Sequence, residues 1–158
     1  MSDLQIGDQA PDFEASTDGN GRLKLSDFQG QNVILYFYPK DDTPGCTTEA
    51  CAFQDNLPNF QTKDAVVIGI SKDTPAKHDK FKEKYQLDFP LISDEDGAIC
   101  ESYGTWVEKS MYGKKYMGID RATFLIGSDG KILEIWRKVK VPGHVEAVLS
   151  ALEEKKAA

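Results

Sequence analysis

The sequence predicts an α/β domain with a mixed central sheet, helices on both faces of that sheet, and a hairpin at its amino-terminal end. Two continuous apolar runs, 33–38 and 65–71, have the composition of strands that are buried on both faces. Each run is followed by a polar loop and then by a Thr-Pro pair, at 43–44 and at 74–75, which is typical of the start of a helix. Strands alternate with helices, which is the order that an α/β fold requires.

The remaining elements follow along the chain. The predicted segments are, in order, a hairpin within the first 30 residues around Asp18–Gly21, the strand 33–38, a helix from Pro44 to about Asn56 with a break or kink at Pro58, the strand 65–71, a helix from Pro75 to about Tyr85, a short strand at Leu91–Ser93, a helix at Gly97–Tyr103, an antiparallel hairpin of Ala122–Gly127 with Lys131–Arg137, and a helix from about Pro142 to Glu154. This order fits a thioredoxin-like fold, and the pattern alone also allows a small doubly wound domain.

Length and composition indicate one soluble domain, residues 1–158, in which 153–158 is expected to be a flexible tail. The net charge of −7 argues against nucleic acid or an anionic membrane surface as the main partner. No apolar run approaches the ~20 residues that span a bilayer, and the first five residues do not resemble a secretory signal. Three cysteines do not suit a secreted disulfide scaffold, so a cytoplasmic location is expected.

Cys46 is predicted to lie in the first turn of a helix. Pro44 disfavours helical geometry at Thr43, which makes Thr43 the N-cap and Cys46 the third helical residue. At this position the helix dipole and unpaired backbone N–H groups stabilise a thiolate over a thiol. The prediction is a nucleophile at the carboxyl end of a buried strand, where open α/β sheets place their sites. The alternative is that Cys46 and Cys51 are ordinary small buried residues.

The spacing of Pro39, Thr43 and Cys46 resembles the Pro-x3-Thr-x2-Cys signature of the peroxiredoxins. The string 43–51, Thr-Pro-Gly-Cys-Thr-Thr-Glu-Ala-Cys, is similar to the bacterioferritin-comigratory, or peroxiredoxin Q, branch of that family. The likeness continues through 7–13 and 118–126. It implies a thioredoxin-like fold and a thiol peroxidase that reduces hydrogen peroxide and organic hydroperoxides without a metal, flavin or haem.

A peroxidase of this kind needs donors that hold both peroxide oxygens. The Thr43 hydroxyl can donate to the peroxide in addition to capping the helix, and Pro39 would shield the thiolate; capping alone and strand termination alone are the alternatives. Arg121 matches the active-site arginine of the family, and its planar fork of donors suits that role better than Lys. Glu49 resembles the acidic residue that orients this arginine, whereas a solvated Glu in the first turn is the alternative.

The family resemblance implies that Cys46 becomes a sulfenic acid, which condenses with a nearby thiol. Cys51 is the candidate resolving thiol. Residues five apart in an ideal helix have Cα atoms ~8–9 Å apart, whereas a disulfide tolerates at most ~7 Å. We therefore expect the first turns of this helix to unwind in each cycle. Cys100 is predicted to be a structural, reduced thiol, with a bridge between Cys46 and Cys100 as the alternative.

An intramolecular disulfide needs no second subunit, so a monomer is expected, with thioredoxin or glutaredoxin as the reductant. Two rival functions stay open at this point. One is a thiol-disulfide oxidoreductase, which the lack of a Cys-x-x-Cys motif makes less favourable. The other is a redox-sensing interaction module, in which a switch between Cys46 and Cys51 exposes a partner surface.

Metal binding is not expected, because the two histidines, His78 and His144, are not spaced with the cysteines in a ligand pattern. Both are predicted to be surface or capping residues. Four large side chains are predicted to form either an apolar patch beside the site or ordinary core packing: Trp106, Tyr112, Tyr116 and Met117.

Overall fold

The computed structural model describes residues 4–157. Its strands are β1 (Glu14–Thr17), β2 (Arg22–Lys24), β3 (Asn32–Phe37), β4 (Ala65–Ser71), β5 (Leu91–Ser93), β6 (Trp106–Met111), β7 (Lys114–Ile119), β8 (Ala122–Ile126) and β9 (Ile132–Trp136). Its helices are α1 (Pro44–Asp55), α2 (Leu57–Gln61), α3 (Pro75–Tyr85), α4 (Ala98–Ser102) and α5 (His144–Ala157). Short 3-10 turns follow β1 and β2.

Seven strands form one mixed sheet in the order β2-β1-β5-β4-β3-β8-β9. The three inner strands β5, β4 and β3 are parallel, and the others pair antiparallel to their neighbours. At the centre, Leu35 of β3 lies opposite Ile68 on one side and Phe124 on the other. The predicted mixed sheet with an amino-terminal hairpin is confirmed.

Alternate side chains of β3 enter two hydrophobic clusters, one on each face of the sheet. Leu35 and Phe37 belong to the first cluster, and Ile34 and Tyr36 to the second. Helix α4 packs on the first face. The other four helices each contribute a buried side chain to the second face: Phe53, Phe60, Phe81 and Val148. Helices therefore cover both faces, as the sequence predicts.

Helix α1 runs from Pro44 to Asp55 with Asn56 as its C-cap, as predicted, and the break falls at Asn56, two residues before the predicted Pro58. Pro58 lies in the first turn of α2, where a missing N–H group costs nothing. Thr74 caps α3 as predicted, since its side chain accepts a hydrogen bond from the Lys77 amide. The Thr-Pro pattern was therefore the more reliable guide to where helices begin.

Two segments differ from the sequence prediction. The β6–β7 hairpin was not anticipated, because its strands mix charged, small and apolar side chains without clear alternation. The segment 153–157, predicted as a flexible tail, continues helix α5 as far as Ala157. Within residues 4–157, no helix combines the length and the apolar character that crossing a membrane requires.

Candidate active site

Cys46 lies in the first turn of α1, directly after the loop that leaves the carboxyl end of β3. Its side chain is only 1% exposed. Thr43 stands at the N-cap with an extended backbone, φ −97° and ψ 156°, and Pro44 follows it at the start of the helix. The predicted position of Cys46, in the first turn behind a strand, is confirmed.

Arg121 reaches Cys46 from β8. Because β8 runs antiparallel to β3, with Ala122 opposite Phe37, the start of β8 lies beside the end of β3. Arg121 precedes β8 by one residue, and its Nη2 donates to the Cys46 sulfur at 3.3 Å. A guanidinium this close stabilises negative charge on the sulfur. The sheet topology therefore places the cation where the sequence predicted it.

Glu49 fixes the other arm of the same guanidinium. Its side chain is fully buried one turn after Cys46, and its Oε1 accepts from Arg121 Nη1 at 2.7 Å. Burial raises the pKa of Glu49 to about 7, although the Arg121 charge acts in the opposite direction. Its second oxygen, Oε2, has no hydrogen-bond partner within residues 4–157. The alternative of a solvated first-turn Glu is wrong.

Gly45 leaves room for the guanidinium. A Cβ atom built on this residue would lie 3.2 Å from Arg121 Nη2, which is closer than most real contacts of a Cβ atom. A side chain here would therefore push the Arg121 fork away from the sulfur of Cys46.

The Thr43 side chain does not cap the helix. Its hydroxyl donates to the Lys40 carbonyl oxygen at 2.9 Å instead of accepting from a helix amide. The capping function predicted for this hydroxyl is therefore wrong, although the residue does occupy the N-cap position. Because its proton is donated to Lys40, the predicted donation from this hydroxyl to a peroxide is wrong for this conformation, and the oxygen can act only as an acceptor.

Cys51 lies within the same intact helix and is half-buried. Burial, and to a smaller extent the charge of Asp55, raises the pKa of its thiol. Both Cys46 and Cys51 are free thiols. An unbroken α1 holds them too far apart for a disulfide, as the helix geometry requires.

Cys100 belongs to the hydrophobic cluster on the opposite face of the sheet from Cys46. It is fully buried, and burial, with Asp94 adding to the effect, raises the pKa of its thiol far above the usual range. Its backbone N–H donates to Asp94 Oδ2 at 2.8 Å. Because Cys46 and Cys100 lie in clusters on opposite faces of the sheet, the structure does not favour the alternative bridge between them, and the structural role of Cys100 stays a prediction.

The other residues predicted at or beside the site do not form one cluster. Pro39 is exposed two residues after the end of β3, and its shielding function stays a prediction. Trp106 packs partly against the first hydrophobic cluster. The other three large side chains of the predicted patch lie exposed on the β6–β7 hairpin: Tyr112, Tyr116 and Met117. Core packing therefore explains Trp106 alone.

The prediction of surface or capping positions for the two histidines is wrong, because both are buried and their ring nitrogens contact Asp41, Ile92 and Thr123 instead of a helix end. His78 contacts Asp41, and His144 Nε2 lies 2.8 Å from the Thr123 hydroxyl. Burial, with the nearby Arg121 charge, lowers the pKa of His144 to about 4. In the described part of the chain, no three His, Cys, Asp or Glu side chains are grouped as a metal site. A lone His in a charged helix gives no sequence signal of such burial.

Lys109 is a site neighbour that the sequence analysis missed, because it lies on the unpredicted β6–β7 hairpin. Burial is the main cause that lowers the pKa of its ammonium group. The charge of Arg121 acts in the same direction, and the charges of Asp120 and Cys46 act in the opposite direction.

Comparison with known proteins agrees with this geometry. A model of the AhpC/TSA family matches residues 6–135. The chain is 49% identical over 151 residues to the peroxiredoxin Bcp of Bacillus subtilis strain 168, which covers 96% of each chain. It is 46% identical over 154 residues to the peroxiredoxin Bcp of Escherichia coli strain K12, covering 98% of this chain and 99% of the relative.

Solved structures show the same likeness. A mutant PrxQ of Xylella fastidiosa, in which a cysteine is replaced by serine, superposes with a TM-score of 0.93 at 42% identity, covering 98% of this chain and 99% of the other. The bacterioferritin comigratory protein of Xanthomonas campestris, studied for its alkyl peroxide reduction activity, superposes with a TM-score of 0.90 at 41% identity and covers 99% of each chain.

Proposed function

Because this chain belongs to the AhpC/TSA family and is a peroxiredoxin, we propose that it reduces hydrogen peroxide and organic hydroperoxides through a sulfenic acid on Cys46 that Cys51 resolves. One observation carries the proposal. The guanidinium of Arg121 donates to the Cys46 sulfur with one arm and to Glu49 with the other, so that a fixed cation faces a buried thiol in a helix first turn.

In the first step the Cys46 thiolate attacks one peroxide oxygen. A sulfur–oxygen bond forms, the oxygen–oxygen bond breaks, and the departing oxygen takes a proton to become water or an alcohol. The Arg121 N–H groups and the first-turn backbone amide of Cys46 stabilise the charge that moves along this line. The Thr43 oxygen accepts a hydrogen bond from the peroxide O–H group, because its own proton is donated to Lys40.

In the second step the Cys51 thiol attacks the sulfenic sulfur, a disulfide forms, and water leaves. The start of α1 must unwind first, since an intact helix keeps the two Cα atoms ~8–9 Å apart. Its first turn is suited to unwinding, because Gly45 has low helix propensity and the Thr48 hydroxyl donates to the Pro44 carbonyl oxygen at 3.0 Å.

In the third step a dithiol protein such as thioredoxin or glutaredoxin reduces the disulfide and is itself oxidised. Cys51 is half-buried in the intact helix, and unwinding exposes it to such a partner. The disulfide forms within one chain, so a monomer suffices for the whole cycle. No metal, flavin or haem takes part in any of these steps.

The test is to mix fully reduced protein with one equivalent of hydrogen peroxide and to follow thiol loss by rapid mixing. We expect fast loss of two thiols per peroxide in the wild type and in a Cys100→Ser control. Cys46→Ser abolishes the fast reaction, and Cys51→Ser stops at a sulfenic acid. Loss no faster than that of a free thiol in solution overturns the proposal.

A second arm of the experiment separates the rival functions. With thioredoxin, its reductase and NADPH present, the peroxidase turns over continuously. A redox sensor stays oxidised under the same conditions. A thiol-disulfide oxidoreductase reacts rapidly with a disulfide substrate and slowly with peroxide.

A further inference from the structure

A buried hydrogen-bond network lies beneath the loop that leads to Cys46. His78 of α3 is fully buried, and its Nδ1 lies 2.6 Å from Asp41 Oδ2. The other ring nitrogen, Nε2, lies 2.9 Å from the carbonyl oxygen of Ile92 in β5. The Tyr38 hydroxyl donates to Asp41 Oδ1 at 2.5 Å. These contacts join the loop after β3 to α3 and to β5.

The main chain of Asp41 is held as well as its side chain. The Asp41 backbone N–H donates to Asp73 Oδ2 at 2.8 Å, and the same oxygen accepts from the Ser71 hydroxyl at 2.7 Å. Asp41, Asp73 and Ser71 are all buried. The loop is therefore hydrogen-bonded to the segment at the end of β4, in addition to α3 and β5.

One proton lies between Asp41 and His78. Nε2 of His78 carries a hydrogen because the Ile92 carbonyl can only accept. Nδ1 and the Asp41 carboxyl then share one further proton, as imidazolium with carboxylate or as imidazole with carboxylic acid. In both forms the pair is uncharged as a whole and its buried polar atoms are partnered, which burial in a protein requires.

Asp41 is the buried residue of a loop that is otherwise at the surface. Pro39, Lys40 and Asp42 are exposed, and Asp42 has a left-handed backbone with φ 59°. Holding Asp41 therefore sets the path by which the chain enters the first turn of α1, where Cys46 lies five residues later.

We infer that Asp41 and His78 are positioning residues, which hold this loop in the conformation that reacts with peroxide and oppose the unwinding that forms the disulfide. The role rests on the proposed function. The bonds of Asp41 exist when the loop is packed, so they stabilise the intact start of α1 relative to the unwound state. Their loss has opposite effects on the two chemical steps: attack by Cys46 slows and reaction with Cys51 becomes faster.

Two substitutions of Asp41 separate the effect of its side-chain hydrogen bonds from the effect of changing the residue. Asp41→Ala removes the network from the loop. Asp41→Asn keeps it, because the amide oxygen can accept from Tyr38 while the amide nitrogen donates to a neutral His78. Leu23→Ala, in the hydrophobic cluster on the other face of the sheet, controls for general loss of stability.

The experiment mixes each reduced variant with limiting hydrogen peroxide, quenches the reaction at short times, and quantifies thiol, sulfenic acid and disulfide by mass spectrometry. In Asp41→Ala we expect sulfenic acid formation to slow about tenfold and disulfide formation to accelerate severalfold. Asp41→Asn retains both rates to within about twofold. Leu23→Ala leaves both rates unchanged at a temperature where it is folded.

The inference is overturned if both steps slow together in Asp41→Ala, if neither changes, or if Asp41→Asn behaves like Asp41→Ala. A wild type that forms sulfenic acid but no disulfide contradicts the proposed resolving step instead. In that case the first rate alone, measured in a Cys51→Ser background, decides whether Asp41 positions Cys46. A wild type that forms no sulfenic acid overturns the proposed function and this role together.

Discussion

Arg121 Nη2 lies 3.3 Å from the sulfur of Cys46, across a separation of 75 residues in the sequence. The contact depends on the antiparallel pairing of β3 with β8, which brings the end of one strand beside the start of the other. The chemistry of the site is therefore built on the most deeply buried part of the sheet. Helix α1 carries Cys46, and Arg121 precedes the first residue of β8 by one position.

Replacing Arg121 by Lys tests the forked contact. A single ammonium group cannot donate to Glu49 and to the sulfur in the same two-armed geometry. We expect the second-order rate constant for hydrogen peroxide to fall about hundredfold. Stopped-flow measurement under excess peroxide gives this constant directly. Arg137→Lys, at an arginine that donates to two backbone carbonyls, is the matched control and keeps the wild-type rate. A wild-type rate in Arg121→Lys contradicts the assigned role.

Glu49 makes folding stability fall as the pH increases. The pKa of this carboxyl is about 7 in the folded protein, against 4.5 for an ordinary Glu, so the folded state binds its proton more tightly. Its contribution is fully present below pH 4.5 and is lost as the pH rises through about 7. Glu49→Gln removes up to about 3 kcal/mol of this pH dependence. Urea denaturation at a series of pH values measures it, and identical slopes for both proteins would refute the prediction.

His144 has the opposite effect in nearly the same pH range. Burial lowers its pKa to about 4 from 6.5, so the folded protein resists protonation that the unfolded chain accepts. Its contribution is present above pH 6.5 and is lost as the pH falls toward 4. Replacement by Gln, whose oxygen can accept from Thr123, removes this loss. The same denaturation series on His144→Gln tests the sign of this pH dependence of folding stability. The prediction is wrong if the variant and the wild type lose equal stability in acid.

Gly45→Ala crowds the guanidinium. The new methyl group lies 3.2 Å from Arg121 Nη2, so the fork must shift away from Cys46. Alanine also strengthens the first turn of α1 by about 1 kcal/mol relative to glycine. We expect slower attack on peroxide and slower disulfide formation, both read from the same quenched time course. Thr48→Ala raises helix propensity on the exposed side of that turn without crowding Arg121. Equal rates in Gly45→Ala and the wild type would show that the glycine is not needed for space.

Much of this molecule was predictable because local chemistry agrees with the fold. Continuous apolar runs marked β3 and β4, and Thr-Pro pairs marked the starts of α1 and α3. The residue types of the site also carried information, since Arg121 is one of three arginines and directly precedes a buried strand.

What the sequence did not reveal depends on contacts between distant segments. The burial of His78 follows from Asp41 and from a carbonyl of β5, and neither lies near it in the sequence. The Thr43 hydroxyl donates back to the Lys40 carbonyl oxygen instead of accepting from an amide of the helix. Both hydrogen bonds are local, and the spacing of residues in the sequence does not decide between them. Lys109 lies on a hairpin whose mixed composition gives no clear strand pattern.

The third cysteine, Cys100, makes it possible to distinguish unfolding of the whole domain from melting of α1. Cys100 is sealed in the core on the face of the sheet away from α1, so an alkylating reagent reaches it only when the whole domain unfolds. Cys51, half-buried in α1, is reached as soon as that helix start melts. The rates at which the reagent labels these two thiols in one sample therefore report local melting of α1 and global unfolding separately.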